Sequence, residues 1–76
     1  MSRWNPCKRL DFIQKMKSIG FLGPKPGGSH IYLYFGERRL WLPSNSEYSV
    51  EQFKTILRQV AKIIGRNIDW NEWNSL

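Results

Sequence analysis

The sequence predicts a small α+β domain in the order helix, strand, strand, strand, helix. Three observations carry that expectation. Apolar residues recur at spacings of three and four in two separate stretches, near residues 10–19 and 50–64, the period of a helix with one buried side. Between them, Ile31, Leu33 and Phe35 alternate with His30, Tyr32 and Tyr34, as in a half-buried strand. Gly36-Glu37 then has the Gly-X form of a two-residue II′ turn, which returns the chain through Arg38–Leu42 as a hairpin.

Each element has its own signals. Asn5-Pro6 predicts the first helix start, with Asn5 as cap and Pro6 at the first helical position, where its missing N–H costs nothing. Leu10, Ile13 and Met16, with Phe12 and Ile19, form its apolar stripe, and Gly20 ends it. Phe21-Leu22-Gly23-Pro24-Lys25-Pro26 reads as a short edge strand, because each proline removes a ladder donor. Within the hairpin, the turn opposes Phe35 to Arg38, Leu33 to Leu40 and Ile31 to Leu42, leaving His30, Tyr32, Tyr34, Arg39 and Trp41 on the other surface. Ser49-Val50-Glu51-Gln52 has the form of a capping box, with Tyr48 and Phe53 at the staple positions. The helix that follows carries Val50, Phe53, Ile56, Leu57, Val60, Ile63 and Ile64 and stops at Gly65. Asp69-Trp70-Asn71-Glu72 can cap one further turn, with Trp70, Trp73 and Leu76 docking back on the body; chain ends often fray, but two tryptophans in so short a tail favour docking or an interface. The 76 residues read as a single domain, 1–76, with a core over about 6–65 and a C-terminal extension at 66–76.

Composition narrows the function. Cys7 is the one cysteine, so no intrachain disulfide is expected, and the absence of a secretory or membrane-spanning apolar run leads us to expect a reducing, cytoplasmic setting. The formal charge of +6 favours a polyanionic partner, RNA or DNA first. The excess is concentrated early: Arg3, Lys8, Arg9, Lys15, Lys17 and Lys25 stand against Asp11 alone within residues 1–25. One His and one Cys among scattered carboxylates make no metal-ligand spacing, and no cofactor-binding glycine pattern is present, so neither metal nor cofactor is expected. A Cys7–His30 nucleophile pair is disfavoured, because nothing brings Cys7 toward His30.

What remains is a lone imidazole, His30, placed after Gly27-Gly28-Ser29 and among basic and aromatic residues. Imidazole is the side-chain type that can both take and return a proton near neutral pH. One reaction on RNA asks for little more, since the ribose 2′-OH is already a nucleophile beside the phosphate and needs only positioning, proton movement and charge stabilisation.

The set Gly20-Phe21, Lys25, Gly28-Ser29-His30, Pro43 and Ile56-Leu57-Arg58-Gln59 resembles the HicA family of toxin ribonucleases over residues 8 to about 65. The resemblance implies a fold like a double-stranded RNA-binding domain, with a three-stranded antiparallel sheet and two helices on one side. It implies a metal-independent endoribonuclease, a hydrolase that cleaves mRNA, forming the toxin half of a type II toxin–antitoxin pair neutralised by a HicB-like antitoxin. It also implies that His30 is the catalytic residue. Lys25 stands where the family more often has arginine, and Pro43 is followed by Ser44-Asn45 where the family commonly has a histidine. On this reading Lys25, Gly28, Ser29 and Arg39 are the candidate RNA contacts, and Tyr32, Tyr34 and Trp41 the candidate partner contacts. Two other functions fit the same residues. One is a non-catalytic RNA-binding module of the same fold; the other is a protein-interaction domain that uses the aromatic sheet face.

Overall fold

The computed structural model describes residues 4–76; Arg3, counted above among the basic residues, lies outside them. In chain order the elements are β1 (Cys7–Lys8), α1 (Arg9–Ser18), β2 (Leu22–Gly27), β3 (His30–Phe35), β4 (Arg38–Leu42), β5 (Glu47–Tyr48), α2 (Val50–Ile64) and α3 (Trp70–Ser75). Strands β2, β3 and β4 form an antiparallel sheet in that order, and β1 pairs separately with β5. The fold is α+β, and the expected α-β-β-β-α layout is present with a strand pair and a third helix added to it.

Helix α1 begins three residues later than Pro6 suggests. Cys7 and Lys8 pair with Tyr48 and Glu47, and the Arg9 N–H donates to the Ser46 carbonyl at 3.0 Å, so the segment is held extended. Lys8 therefore stands at the cap position with extended φ/ψ of −70° and 142° and no side-chain cap bond. A pairing with a distant strand has overridden a local helix-start signal. The buried stripe is Phe12, Ile13 and Met16, whereas Leu10 is 71% exposed. At 3.6 residues per turn, Leu10 lies about 110° around the helix from the centre of that stripe. At the other end the Gly20 N–H donates to Lys17 O and the Phe21 N–H to Met16 O, with Gly20 at φ +112°. That is a Schellman ending, and its apolar contact pairs the buried Met16 and Phe21.

The β3–β4 hairpin has the expected register: Ile31 faces Leu42, Leu33 faces Leu40, and Phe35 faces Arg38. Gly36 has the positive φ, +62°, that the first position of its turn requires. Leu33, Leu40 and Leu42 are buried on the helix side. Strand β2 is an edge strand, and its pairing with β3 slips between Leu22 and Lys25. Ser49 caps α2 by accepting from the Gln52 N–H, but the Gln52 side chain bonds Asn45 Oδ1 at 3.3 Å, so the capping box is one-sided. Gly65 ends this helix at φ +81°.

The core continues past Gly65, since Ile68 and Trp73 are buried in the same cluster as Phe12, Leu33, Phe53 and Val60. Asp69 caps α3 through the Glu72 N–H at 2.8 Å, and the helix lays Trp73 against Phe12 and Phe53 at centroid distances of 5.6 and 4.6 Å. Lys15 places its ammonium over the Trp73 ring and donates to the Trp73 carbonyl at 2.7 Å. The tail thus docks on the helical side.

Tyr48 is fully buried and donates to the Pro43 carbonyl at 2.9 Å. Burial, with a smaller push from Cys7 and against the pull of Arg9, raises its phenol from 10 to about 12. A raised folded-state pKa means that the unfolded chain loses this proton first, so Tyr48 contributes its full stability below pH 10 and loses it as pH rises toward 12. Denaturant melts across that window should show falling stability, with a shallower fall in Tyr48→Phe. An equal slope in the two proteins would assign the loss to other groups.

Candidate functional site

Gly28 and Ser29 form a two-residue turn between β2 and β3, and Gly28 takes it at φ +75°. His30 is the first residue of β3, opposite Gly27, and is exposed. Because Leu33 points into the core and strand side chains alternate, His30, Tyr32 and Tyr34 project from the opposite side of the sheet. The ladder adds their neighbours. Lys25 lies opposite Tyr32 on one flank; Trp41 lies opposite Tyr32 and Arg39 opposite Tyr34 on the other.

The side chains on this face touch. Lys25 Nζ sits 5.0 Å from the Tyr34 ring centre, and the Arg39 guanidinium 5.0 Å from that of Tyr32. Tyr32 and Trp41 pack with centroids 4.9 Å apart at 50°. Both cations are exposed over half-buried rings, and a cation that keeps its contact with water gains only about 0.5–1 kcal/mol from such a ring. Either cation can therefore swing to a phosphate at small cost. Strands β2, β3 and β4 carry no carboxylate, so the positive charge on this face has no neutralising partner from the sheet itself.

Gly27 has a role that the sequence reading missed. A Cβ there would stand 2.5 and 2.8 Å from the six-membered ring of Trp41, a clash that any side chain would create. The indole reaches from β4 across β3 to lie against Gly27, the ladder partner of His30. Close approach at this glycine is made by a side chain of the same fold. The candidate RNA contacts and the candidate partner contacts therefore form one surface, with His30 and the Gly28-Ser29 turn at one end. Among the described residues the Ser29 and His30 side chains make no hydrogen bond.

The remaining chemistry lies elsewhere. Cys7 belongs to the β1–β5 pair, and burial above all, then the Asp11 carboxylate, against the pull of Lys15, pushes its thiol up from 9.0, which suppresses the nucleophilic thiolate. A groove of about 700 Å³ runs between the N-terminal segment and α3, lined by Trp4, Cys7, Asp11, Lys15 and Trp70, and contains none of the sheet-face residues. The early basic excess is divided, since Lys25 joins the sheet face while Lys15 is engaged by the tail. Among the described residues no three His, Cys, Asp or Glu side chains cluster as metal ligands, and no helix is long and apolar enough to cross a membrane. Comparison with protein-family models, with curated proteins and with solved structures finds no match to this chain.

Proposed function

We propose that this chain is a metal-independent endoribonuclease of the HicA type, acting on mRNA in the cytoplasm as the toxin of a type II toxin–antitoxin pair. The observation that supports it best is the placement of His30: exposed, beside a tight Gly28-Ser29 turn, on the same sheet face as Lys25 and Arg39. In this reaction His30 takes the proton of a ribose 2′-OH as that oxygen attacks the adjacent phosphorus. The bond to the 5′ oxygen breaks, and a proton returns to that oxygen as the leaving strand departs. Lys25 and Arg39 offset the charge that builds on the phosphoryl oxygens. The products are a 2′,3′-cyclic phosphate and a free 5′-OH.

A HicB-like antitoxin fits the same face. Trp41 is 45% exposed beside Tyr32, and exposed aromatic surface on a small domain marks interfaces. Such a partner blocks His30 by covering it.

Incubation of the purified protein with mixed RNA in a strong chelator tests the chemistry. Cleavage should persist, leave cyclic phosphate ends, and fail on a strand with 2′-deoxy sugars at the cut positions. Loss of cleavage in chelator with recovery on adding one divalent ion, or cutting of the deoxy strand, would refute the mechanism.

A further inference from the structure

We infer that the sheet face binds single-stranded RNA, with one unpaired base stacked on the Trp41 indole beside His30 and the flanking phosphates drawn to Lys25 and Arg39. The inference deepens the ribonuclease reading and rests on it for the choice of RNA over DNA.

Three observations converge. Trp41 is held over the sheet by Tyr32 and by the bare backbone of Gly27, yet it keeps 45% of its surface exposed. Among the described residues no cation lies over it, whereas Tyr32 and Tyr34 are each occupied by one. A positioned, partly open indole on the same face as two exposed cations, Lys25 over Tyr34 and Arg39 over Tyr32, combines the charge that tracks a nucleic-acid backbone with a ring for a base. The charge suits a polyanion, because β2, β3 and β4 present cations and no carboxylate.

The single strand follows from the ring. In an A-form duplex each base is already stacked and paired, and proteins read its shape and its 2′-hydroxyls. An exposed indole gains a base only where the base is splayed out. The placement also gives the ring a catalytic consequence: a base seated on Trp41 brings its own ribose and phosphate toward Gly27 and His30.

The test uses the 76-residue chain carrying His30→Ala, so that RNA is bound and not consumed, and a fluorescent mixed-sequence strand of about 12 nucleotides, alone or annealed to its complement. The single strand should bind at least about tenfold tighter than the duplex. Adding Trp41→Ala should weaken single-strand binding at least about fivefold, and Trp41→Phe should restore most of it. Unchanged affinity in Trp41→Ala, or a duplex bound as tightly as the strand, overturns the inference. So does the absence of RNA binding in a natively folded protein, which would assign the face to a protein partner. The two readings fail separately. Cleavage by wild type combined with Trp41-independent binding removes the stacking platform and keeps the ribonuclease; Trp41-dependent binding with no cleavage does the reverse.

Discussion

His30→Ala will lower RNA cleavage by at least about 10²-fold, the smaller end of what a positioned acid–base group supplies, and will leave thermal stability within about 0.5 kcal/mol of wild type. The second half of that expectation comes from burial. His30 is exposed at the end of a strand, its side chain makes no hydrogen bond among the described residues, and it faces away from Leu33 and the core. Its backbone pairing with Gly27 survives truncation to alanine. Cleavage rates on one RNA and thermal melts followed by circular dichroism separate the two effects. Equal cleavage by both proteins would end the catalytic assignment, and a large loss of stability would make His30 a structural residue.

The largest stability effect is expected at the opposite side of the molecule, at Trp73. Its indole is 7% exposed, packs on both Phe12 and Phe53, and lies under the Lys15 ammonium. Truncating a buried tryptophan to alanine costs about 3–5 kcal/mol, and a domain of this size has only about 4–11 kcal/mol in total. At about 4–8 °C per kcal/mol, Trp73→Ala should lower the melting temperature by more than about 12 °C. Trp73→Phe should recover much of that. A melting temperature unchanged in Trp73→Ala would mean that α3 does not contribute to the core in solution.

The most legible parts of the fold were those whose determinants lie within one hairpin or one helix. Alternation from His30 to Phe35 and the Gly36 turn together define the β3–β4 register, because a slip of one residue would expose Leu33 and Leu40. Helix α2 carries its own cap, stripe and stop. The start of α1 was less legible, since Asn5-Pro6 is a sound local signal that loses to the pairing of Cys7 and Lys8 with residues far along the chain. Leu10 misled for a related reason: its spacing to Ile13 is helical, but Phe12 and Met16 set the direction of the buried stripe.

The site divides in the same way. The face shared by His30, Tyr32, Tyr34, Arg39 and Trp41 follows from alternation and one turn. Lys25 reaches that face only through a pairing that slips around Gly23 and Pro24, an irregularity that neither proline nor period predicts in detail. Gly27 was hardest to assign, because its neighbour Trp41 comes from two strands away and no short-range pattern links them. The tail posed the opposite problem. Its two tryptophans favour docking or an interface over fraying, but only the edge-to-face pair of Phe12 and Phe53, brought together from distant helices, shows where Trp73 docks.

On the proposed function, RNA is handled on the β2–β3–β4 face at His30. A nuclear magnetic resonance titration of wild-type protein with RNA methylated at every 2′-oxygen, which binds without offering a nucleophile, tests it most directly. The amide signals of Lys25, Gly28, His30, Tyr32 and Arg39 and the indole N–H of Trp41 should move together as RNA is added. Shifts confined to α1 around Lys8, Lys15 and Lys17, or to the groove beside α3, with the sheet face unmoved, would contradict it.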